Sequence, residues 1–362
     1  MYQQVCIKIG SNVLAGESGG LNKRHINQLV MQLADLHRSG KKIIVVSSGA
    51  VAAARGLVVP DKKCDRVSQR QLLSSVGQVR LMHLYADLFD LHGIQIAQVL
   101  VTKQDFSTRE HYLNMKNCVT ALWENGIVPI VNENDAVSVT ALMFTDNDEL
   151  SGMMATLMAC DALLLLTNVD GIYNGHPDDE GAEVITEIDA EQKDLHRYIS
   201  SVKSDFGRGG MLTKCRVAQK AAMSGVHVHI ANGQHDNIIR QLCTSPQAVH
   251  HTHFKAGSGY PAVKKWISHS AGFARGQVSI NDGAALALCS AKATSLLLAG
   301  VHAIDYEFEK GDLIRICNMQ KQTVGIGKAA YSSAKAQKHR SDEKYKPLVH
   351  YDYLYVFPDF LA

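Results

Sequence analysis

Two lysines stand where a chain ordinarily avoids charge. Lys8 falls inside the apolar run Val5-Cys6-Ile7-Lys8-Ile9 and is followed by Gly10-Ser11-Asn12. A lysine buried in a strand needs an anion to keep its charge, and small residues at a strand's end leave backbone N–H groups free to hold one. A lysine snorkelling from a strand edge is the bland alternative. Lys214 closes Phe206-Gly207-Arg208-Gly209-Gly210-Met211-Leu212-Thr213-Lys214 before a helical pattern. The helix dipole disfavours a cation at such an N-terminus, whereas glycines let the backbone approach phosphates closely, so an anionic ligand is implied. No G-x-x-x-x-G-K-[ST] occurs, so this is not a P-loop.

Three polar clusters accompany the lysines. Val46-Ser47-Ser48-Gly49-Ala50 offers hydroxyls that either cap a following helix or help free N–H groups hold an anion. Asn132-Glu133-Asn134-Asp135, directly after the apolar run 127–131, gathers side chains able to grip an ammonium group and a carboxylate or carboxamide. Thr145-Asp146-Asn147-Asp148-Glu149 places acids at a helix start, which the dipole welcomes with or without function. A Ca²⁺ loop is excluded there, because Gly152 and Thr156 do not meet the EF-hand's glycine and glutamate positions. Thr167-Asn168-Val169-Asp170-Gly171 ends a further strand in a turn. Two other signals carry nothing: Gly325-Ile326-Gly327-Lys328-Ala329-Ala330 matches a dinucleotide fingerprint only by its letters, and His250, His251 and His253 read as solvated linker.

The elements that must hold these groups alternate. Apolar runs 5–9, 42–47, 94–101, 127–131, 163–167 and 226–231 read as strands covered on both faces, and 69–91, 111–125, 150–159 and 213–224 as helices. The fold class is therefore α/β, a three-layer sandwich around a mostly parallel sheet. Near residue 250 the rhythm breaks, and short strands 277–281, 312–317, 323–326 and 348–357 suggest a small β-rich, barrel-like unit. We expect a catalytic domain over 1–254, a linker over 255–273 and a second domain over 274–362.

Composition agrees with two compact, buried cores. The 362 residues are 46% hydrophobic and 20% charged, with net charge +2 and 7 prolines, which excludes a disordered chain. Eight dispersed cysteines without a C-x-x-C pair indicate neither a disulfide framework nor a zinc ribbon, so reduced thiols and a cytoplasmic location are expected, with no signal peptide and no membrane span. Residues 262–362 hold 13 Lys+Arg against 9 Asp+Glu, too mild an excess for a nucleic-acid arm.

Lys8-Ile9-Gly10-Ser11-Asn12-Val13-Leu14, Ser48-Gly49-Ala50-Val51-Ala52-Ala53, Val76-Gly77-Gln78-Val79-Arg80-Leu81, Asn132-Glu133-Asn134-Asp135-Ala136-Val137, Asp146-Asn147-Asp148 and Gly209-Gly210-Met211-Leu212-Thr213-Lys214 follow the order and spacing of the amino-acid kinase family, which the chain resembles along nearly its whole length. The tail resembles a PUA domain through 276–284 and 308–314. The resemblance implies ATP-dependent, Mg²⁺-assisted phosphorylation of the side-chain carboxylate of L-glutamate to glutamyl 5-phosphate, the first step of proline biosynthesis. By it, Lys8 and Lys214 contact the transferring phosphoryl group, Asp148 organises both lysines, and Ser48, Asn132, Asp135 and Asn147 hold glutamate, with Asp135 reading its α-ammonium. Lys8, Thr167, Asn168, Gly209, Gly210, Met211, Thr213 and Lys214 fall where the family binds ATP. Asn168 stands where Asp is common and Arg208 where Thr is, which touches nucleotide affinity rather than reaction class. A homo-oligomer, dimer or tetramer, and proline as feedback inhibitor are further expectations. The rivals are another family member, such as acetylglutamate kinase, and an RNA-binding PUA protein.

Overall fold

The computed structural model describes the chain except residues 1, 17–18, 62, 138–143, 145, 176–180, 191–209, 260, 291–293, 341, 343–344, 358–359 and 361–362. It divides into two compact units, Met1–Asp105 with Glu110–Gly259, and Phe106–Arg109 with Tyr260–Ala362.

The first unit is built on an eight-stranded sheet of order β3-β4-β2-β1-β5-β7-β8-β6. Its strands are β1 (Gln4–Ile9), β2 (Lys42–Ser47), β3 (Ile96–Val101), β4 (Val128–Glu133), β5 (Ala162–Thr167), β6 (Glu187–Asp189), β7 (His227–Asn232) and β8 (Thr252–Lys255). From β3 across to β7 every pairing is parallel, with Lys8 beside Val46 on one side and Leu165 on the other. Burial on both faces explains why these strands read as unbroken apolar runs rather than alternating ones.

Helices α1 (Ser11–Leu14), α2 (Lys23–Arg38), α3 (Ala50–Ala54), α4 (Arg66–Asp90), α5 (Arg109–Glu124), α6 (Asn147–Leu157), α7 (Met211–Met223) and α8 (Ile238–Thr244) connect them. In α2 the spacing of Ile26, Leu29, Val30, Leu33 and Leu36 puts all five in the buried core, and Asn22 caps the first turn by accepting from the His25 N–H at 3.1 Å. Each such side chain removed from water contributes about 1.5–3 kcal/mol. Helix α4 approaches α3 through Gly77, where a Cβ would stand 1.7 Å from the Ala50 carbonyl oxygen. Glycine is therefore required at this contact by backbone proximity, not by torsion.

Of the three histidines read as solvated linker, His250 is exposed, but His251 is buried and His253 lies in a strand. Thr252–Lys255 forms β8, antiparallel to β7, with Thr252 and Phe254 fully buried and His253 opposite His229. Four residues containing one strong apolar side chain give too little periodicity to announce a strand. The rings of His229 and His253 stack with centroids 4.5 Å apart, His227 Nδ1 meets His253 Nε2 at 3.0 Å, and the Tyr2 hydroxyl meets His229 Nε2 at 2.8 Å.

The second unit carries a five-stranded sheet of order β10-β9-β11-β12-β13, from β9 (Gly276–Ile280), β10 (Val301–Tyr306), β11 (Leu313–Cys317), β12 (Thr323–Lys328) and β13 (Leu354–Val356). The strand β10, which the sequence did not announce, has the sequence Val301-His302-Ala303-Ile304-Asp305-Tyr306, without regular alternation, and pairs with β9 across two register shifts. Residues 325–327, the false nucleotide fingerprint, lie in β12; a Cβ at Gly325 or Gly327 would stand 2.6 Å from the Tyr355 carbonyl oxygen or 2.2 Å from Val349 Cγ1. These glycines serve packing. Helix α9 (Ala262–His269), within the stretch expected as linker, belongs to this unit, where Trp266 Nε1 and Ser270 Oγ each donate to the Phe106 carbonyl at 3.2 Å.

Candidate active site

The site residues collect at the C-terminal ends of β1, β2, β4 and β5, the edge at which open parallel sheets bind ligands. Lys8 is the penultimate residue of β1 and only 6% exposed. Gly10 follows, its N–H bonded to the Leu166 carbonyl at 3.2 Å. Asp148 lies in the first turn of α6, 1% exposed, with Oδ1 2.6 Å from Lys8 Nζ and Oδ2 bonded to Lys214 Nζ. Lys214, in the first turns of α7, is thus compensated by a carboxylate from another element. Burial alone would raise the Asp148 pKa, but the two ammonium groups outweigh it and hold the carboxyl well below its usual range. Burial lowers the Lys8 pKa, Asp148 opposes that shift, and Lys214 adds to it. The Lys8–Asp148–Lys214 group by itself carries one net positive charge, of the kind that phosphate oxygens pair with.

The acids before α6 divide their work. Asp146 is the N-cap, its Oδ1 accepting from the Asp148 and Glu149 N–H groups at 3.0 and 3.1 Å. Its Oδ2 is buried without a hydrogen-bond partner among the described residues, and burial followed by repulsion from Asp148 raises its pKa.

A neutral network adjoins this centre. Asn147 Nδ2 reaches Ser48 Oγ at 2.9 Å, Asn132 Oδ1 at 2.9 Å and the Ser47 carbonyl at 3.2 Å. Asn132 Nδ2 donates to Gln78 Oε1 at 2.9 Å. The serines do not cap α3, the bland possibility left open by the sequence: Gly49, at φ +100°, is the cap residue, and no side chain bonds there. Ser47 Oγ instead donates to the Ser48 carbonyl at 3.0 Å and lies 2.9 Å from the fully buried Tyr85 hydroxyl. Without its partner in Ser47, that hydroxyl would be an unsatisfied group inside the core.

Asp135 sits beside this network but is engaged by a residue the sequence did not single out. Arg70, on α4, lies 2.5 Å from Asp135 Oδ1 and 3.4 Å from Glu133 Oε2, while Glu133 Oε1 accepts from the Phe144 N–H at 2.9 Å. Burial raises the Asp135 pKa and Arg70 counters it. Arg70, Gln78 and Tyr85 all lie on α4; Gln78 falls in the 76–81 motif, but nothing local assigns a role to any of the three, because their partners are distant in sequence.

Thr167 ends β5, its hydroxyl 3.3 Å from Asn168 Oδ1, and Asn168 is exposed. Gly210 is the N-cap residue of α7, with Met211 and Thr213 in its first turn. Gly209 and Arg208 lie outside the described residues. Among the described residues no three His, Cys, Asp or Glu converge on a common metal position.

The amino acid kinase family model matches residues 3–232 and the PUA domain model residues 276–346. A glutamate 5-kinase of Bacteroides thetaiotaomicron is 51% identical over 98% of this chain and 99% of its own. Those of Chlorobaculum tepidum and Dehalococcoides mccartyi are 45% and 38% identical, over 99% and 92% of this chain and 98% and 89% of theirs. A crystal structure of a UMP kinase from Bacillus anthracis aligns with TM-score 0.50 and 16% identity, covering 71% of this chain and 97% of that one, which shows the fold alone.

Proposed function

The chain belongs to the amino acid kinase family, and from that premise we propose that it phosphorylates the side-chain carboxylate of L-glutamate with ATP, the glutamate 5-kinase reaction that opens proline biosynthesis. The observation that carries the reading is the Lys8–Asp148–Lys214 bridge beside the amide network of Asn147 and Asn132. The reacting carboxylate has a reference pKa of about 4.3, so at neutral pH it is already the nucleophile and needs no general base. Its oxygen attacks the γ-phosphorus of ATP, the bond from that phosphorus to the bridging oxygen breaks, and an acyl phosphate and ADP leave. The obstacle is repulsion between anions, which Lys8 and Lys214 offset while Asp148 keeps both aimed.

Thr167, Asn168, Gly209, Gly210, Met211 and Thr213 are assigned to the nucleotide, and Ser48, Asn132, Asp135 and Asn147 to glutamate, on the family resemblance and on their places at the strand and helix ends. Mg²⁺, when bound, neutralises phosphate charge. Asp146 fits it, since its buried, unpartnered Oδ2 is the kind of single carboxylate oxygen that Mg²⁺ takes together with substrate phosphates and water. A homo-oligomer, dimer or tetramer, and inhibition by proline rest on the resemblance, and RNA binding by the second unit on the PUA match alone. A cytoplasmic setting is supported by eight free cysteines. No helix among the described residues is long and apolar enough to cross a membrane.

The test is a coupled ADP assay with hydroxylamine trapping of the acyl phosphate, run with glutamate, aspartate, glutamine and N-acetylglutamate. Turnover confined to glutamate is expected, and preference for N-acetylglutamate would transfer the chain to the acetylglutamate kinase reading.

A further inference from the structure

Gln78, in the sequence Val76-Gly77-Gln78-Val79 on α4, accepts one bond from Asn132, and the network around it fixes what its other end must be. The Glu133 N–H donates to Asn132 at 2.9 Å, so the receiving atom is Oδ1. Asn147 touches the Ser47 carbonyl oxygen and therefore presents nitrogen there, and the same nitrogen donates to Asn132 Oδ1. Asn132 is thereby obliged to turn Nδ2 toward α4, and Gln78 to meet it with Oε1. What remains is Gln78 Nε2, two N–H donors shut away from solvent with no partner among the described residues. A buried donor left empty is costly, and native structures keep few of them without reason.

Its surroundings choose the missing acceptor. Asn147 and Asp148 are successive residues at the start of α6, so their side chains diverge by about 100° around the helix. The side of Asp148, with its two lysines, suits the carboxylate that takes the phosphoryl group. The side of Asn147, Asn132 and Gln78 therefore faces the amino-acid end of the acceptor, where a donor that cannot be deprotonated selects an anionic oxygen and rejects an ammonium. The close approach at Gly77 holds α4, and with it Gln78, in place.

We propose that Gln78 Nε2 donates to the α-carboxylate of the acceptor and is a specificity-determining residue of this kinase, an inference that rests on glutamate being the acceptor. Gln78→Glu is the informative variant, because it keeps an oxygen for Asn132 Nδ2 and replaces the donor with an acceptor. The KM for glutamate should rise about 10- to 100-fold, the scale of a hydrogen bond to a charged group, with the KM for ATP unchanged. A residue that only braces Asn132 would leave the glutamate KM of Gln78→Glu near that of wild type, which would overturn the proposal. The second measurement is the preference for glutamate over its α-carboxamide, isoglutamine, in wild type, Gln78→Glu and Gln78→Met. Loss of that preference in the variants is expected, whereas an equal decline with both substrates refutes the proposal even if Gln78→Glu folds poorly. Failure of the glutamate assignment is distinguishable, since wild type itself would then not turn glutamate over.

Discussion

Asn147 and Asp148 are neighbours in the chain, yet they serve opposite sides of the site: Asn147 Nδ2 lies 2.9 Å from both Ser48 Oγ and Asn132 Oδ1, while Asp148 Oδ1 lies 2.6 Å from Lys8 Nζ. A single helix start, capped by Asp146, thus sets the spacing between the charged centre and the amide network. A shift of α6 would disturb the charged centre and the amide network together.

Replacing the bridge between the lysines separates charge from shape. Asp148→Asn should lower kcat by about 10²-fold or more, the scale of losing a preorganised electrostatic element. Asp148 raises the Lys8 pKa against the pull of burial, so its removal should also move the alkaline limb of the kcat profile to lower pH. An alkaline limb that stays in place would show that Lys8 does not govern it.

For Asp135 the partner is the informative variant. Burial holds its pKa up and Arg70 brings it down, so in Arg70→Met the carboxylate should take a proton at a higher pH than in wild type. If it reads the α-ammonium, the glutamate KM should climb on acidification in both proteins, beginning at higher pH in the variant. Profiles of KM against pH that superimpose would remove Asp135 from that role.

Helix contact at Gly77 is expected to be intolerant. The Cβ of Gly77→Ala would meet the Ala50 carbonyl oxygen at 1.7 Å, so α4 must withdraw from α3. Overpacking of this kind costs about 1–3 kcal/mol, and withdrawal of Gln78 and Arg70 should raise the glutamate KM besides. Urea unfolding together with steady-state kinetics checks both, and an unaltered KM would detach α4 from substrate binding.

The histidines between β7 and β8 predict acid sensitivity. Burial, reinforced by the neighbouring imidazoles, lowers the His229 pKa to about 2, and burial first lowers that of His253 to about 4, with Glu187 opposing and Lys255 adding to the shift. A histidine whose folded pKa lies below its unfolded value leaves the unfolded chain holding more protons, so stability falls as pH drops below about 6.5. Fully buried His229 should account for about 2 kcal/mol between pH 7 and 5. Denaturant unfolding at both pH values should show that loss in wild type and most of it absent in His229→Leu; equal losses would dismiss the histidine as its source.

Much of the architecture was legible because parallel strands covered on both faces leave unbroken apolar runs: 5–9, 42–47 and 163–167 all lie in strands within a residue or two of their bounds. Lys8 and Lys214 could be singled out locally, each being a charge in surroundings that do not tolerate one. The sequence alone thus determined the mostly parallel α/β sheet, the helices that cover it and a separate β-rich unit toward the C-terminus. It could not determine what each polar side chain faces. Strand β8 was too short to declare itself, and its His253 stacked on the buried His229 only when β7 was brought alongside. Arg70 and Tyr85, and Gln78 despite its place in the 76–81 motif, have no legible partner until the fold sets them against Asp135, Ser47 and Asn132, which lie 65, 38 and 54 residues away along the chain. Periodicity records which faces are apolar, because burial acts on each residue separately. A hydrogen bond or ion pair is a property of two residues and a distance, and that distance exists only after the chain has folded.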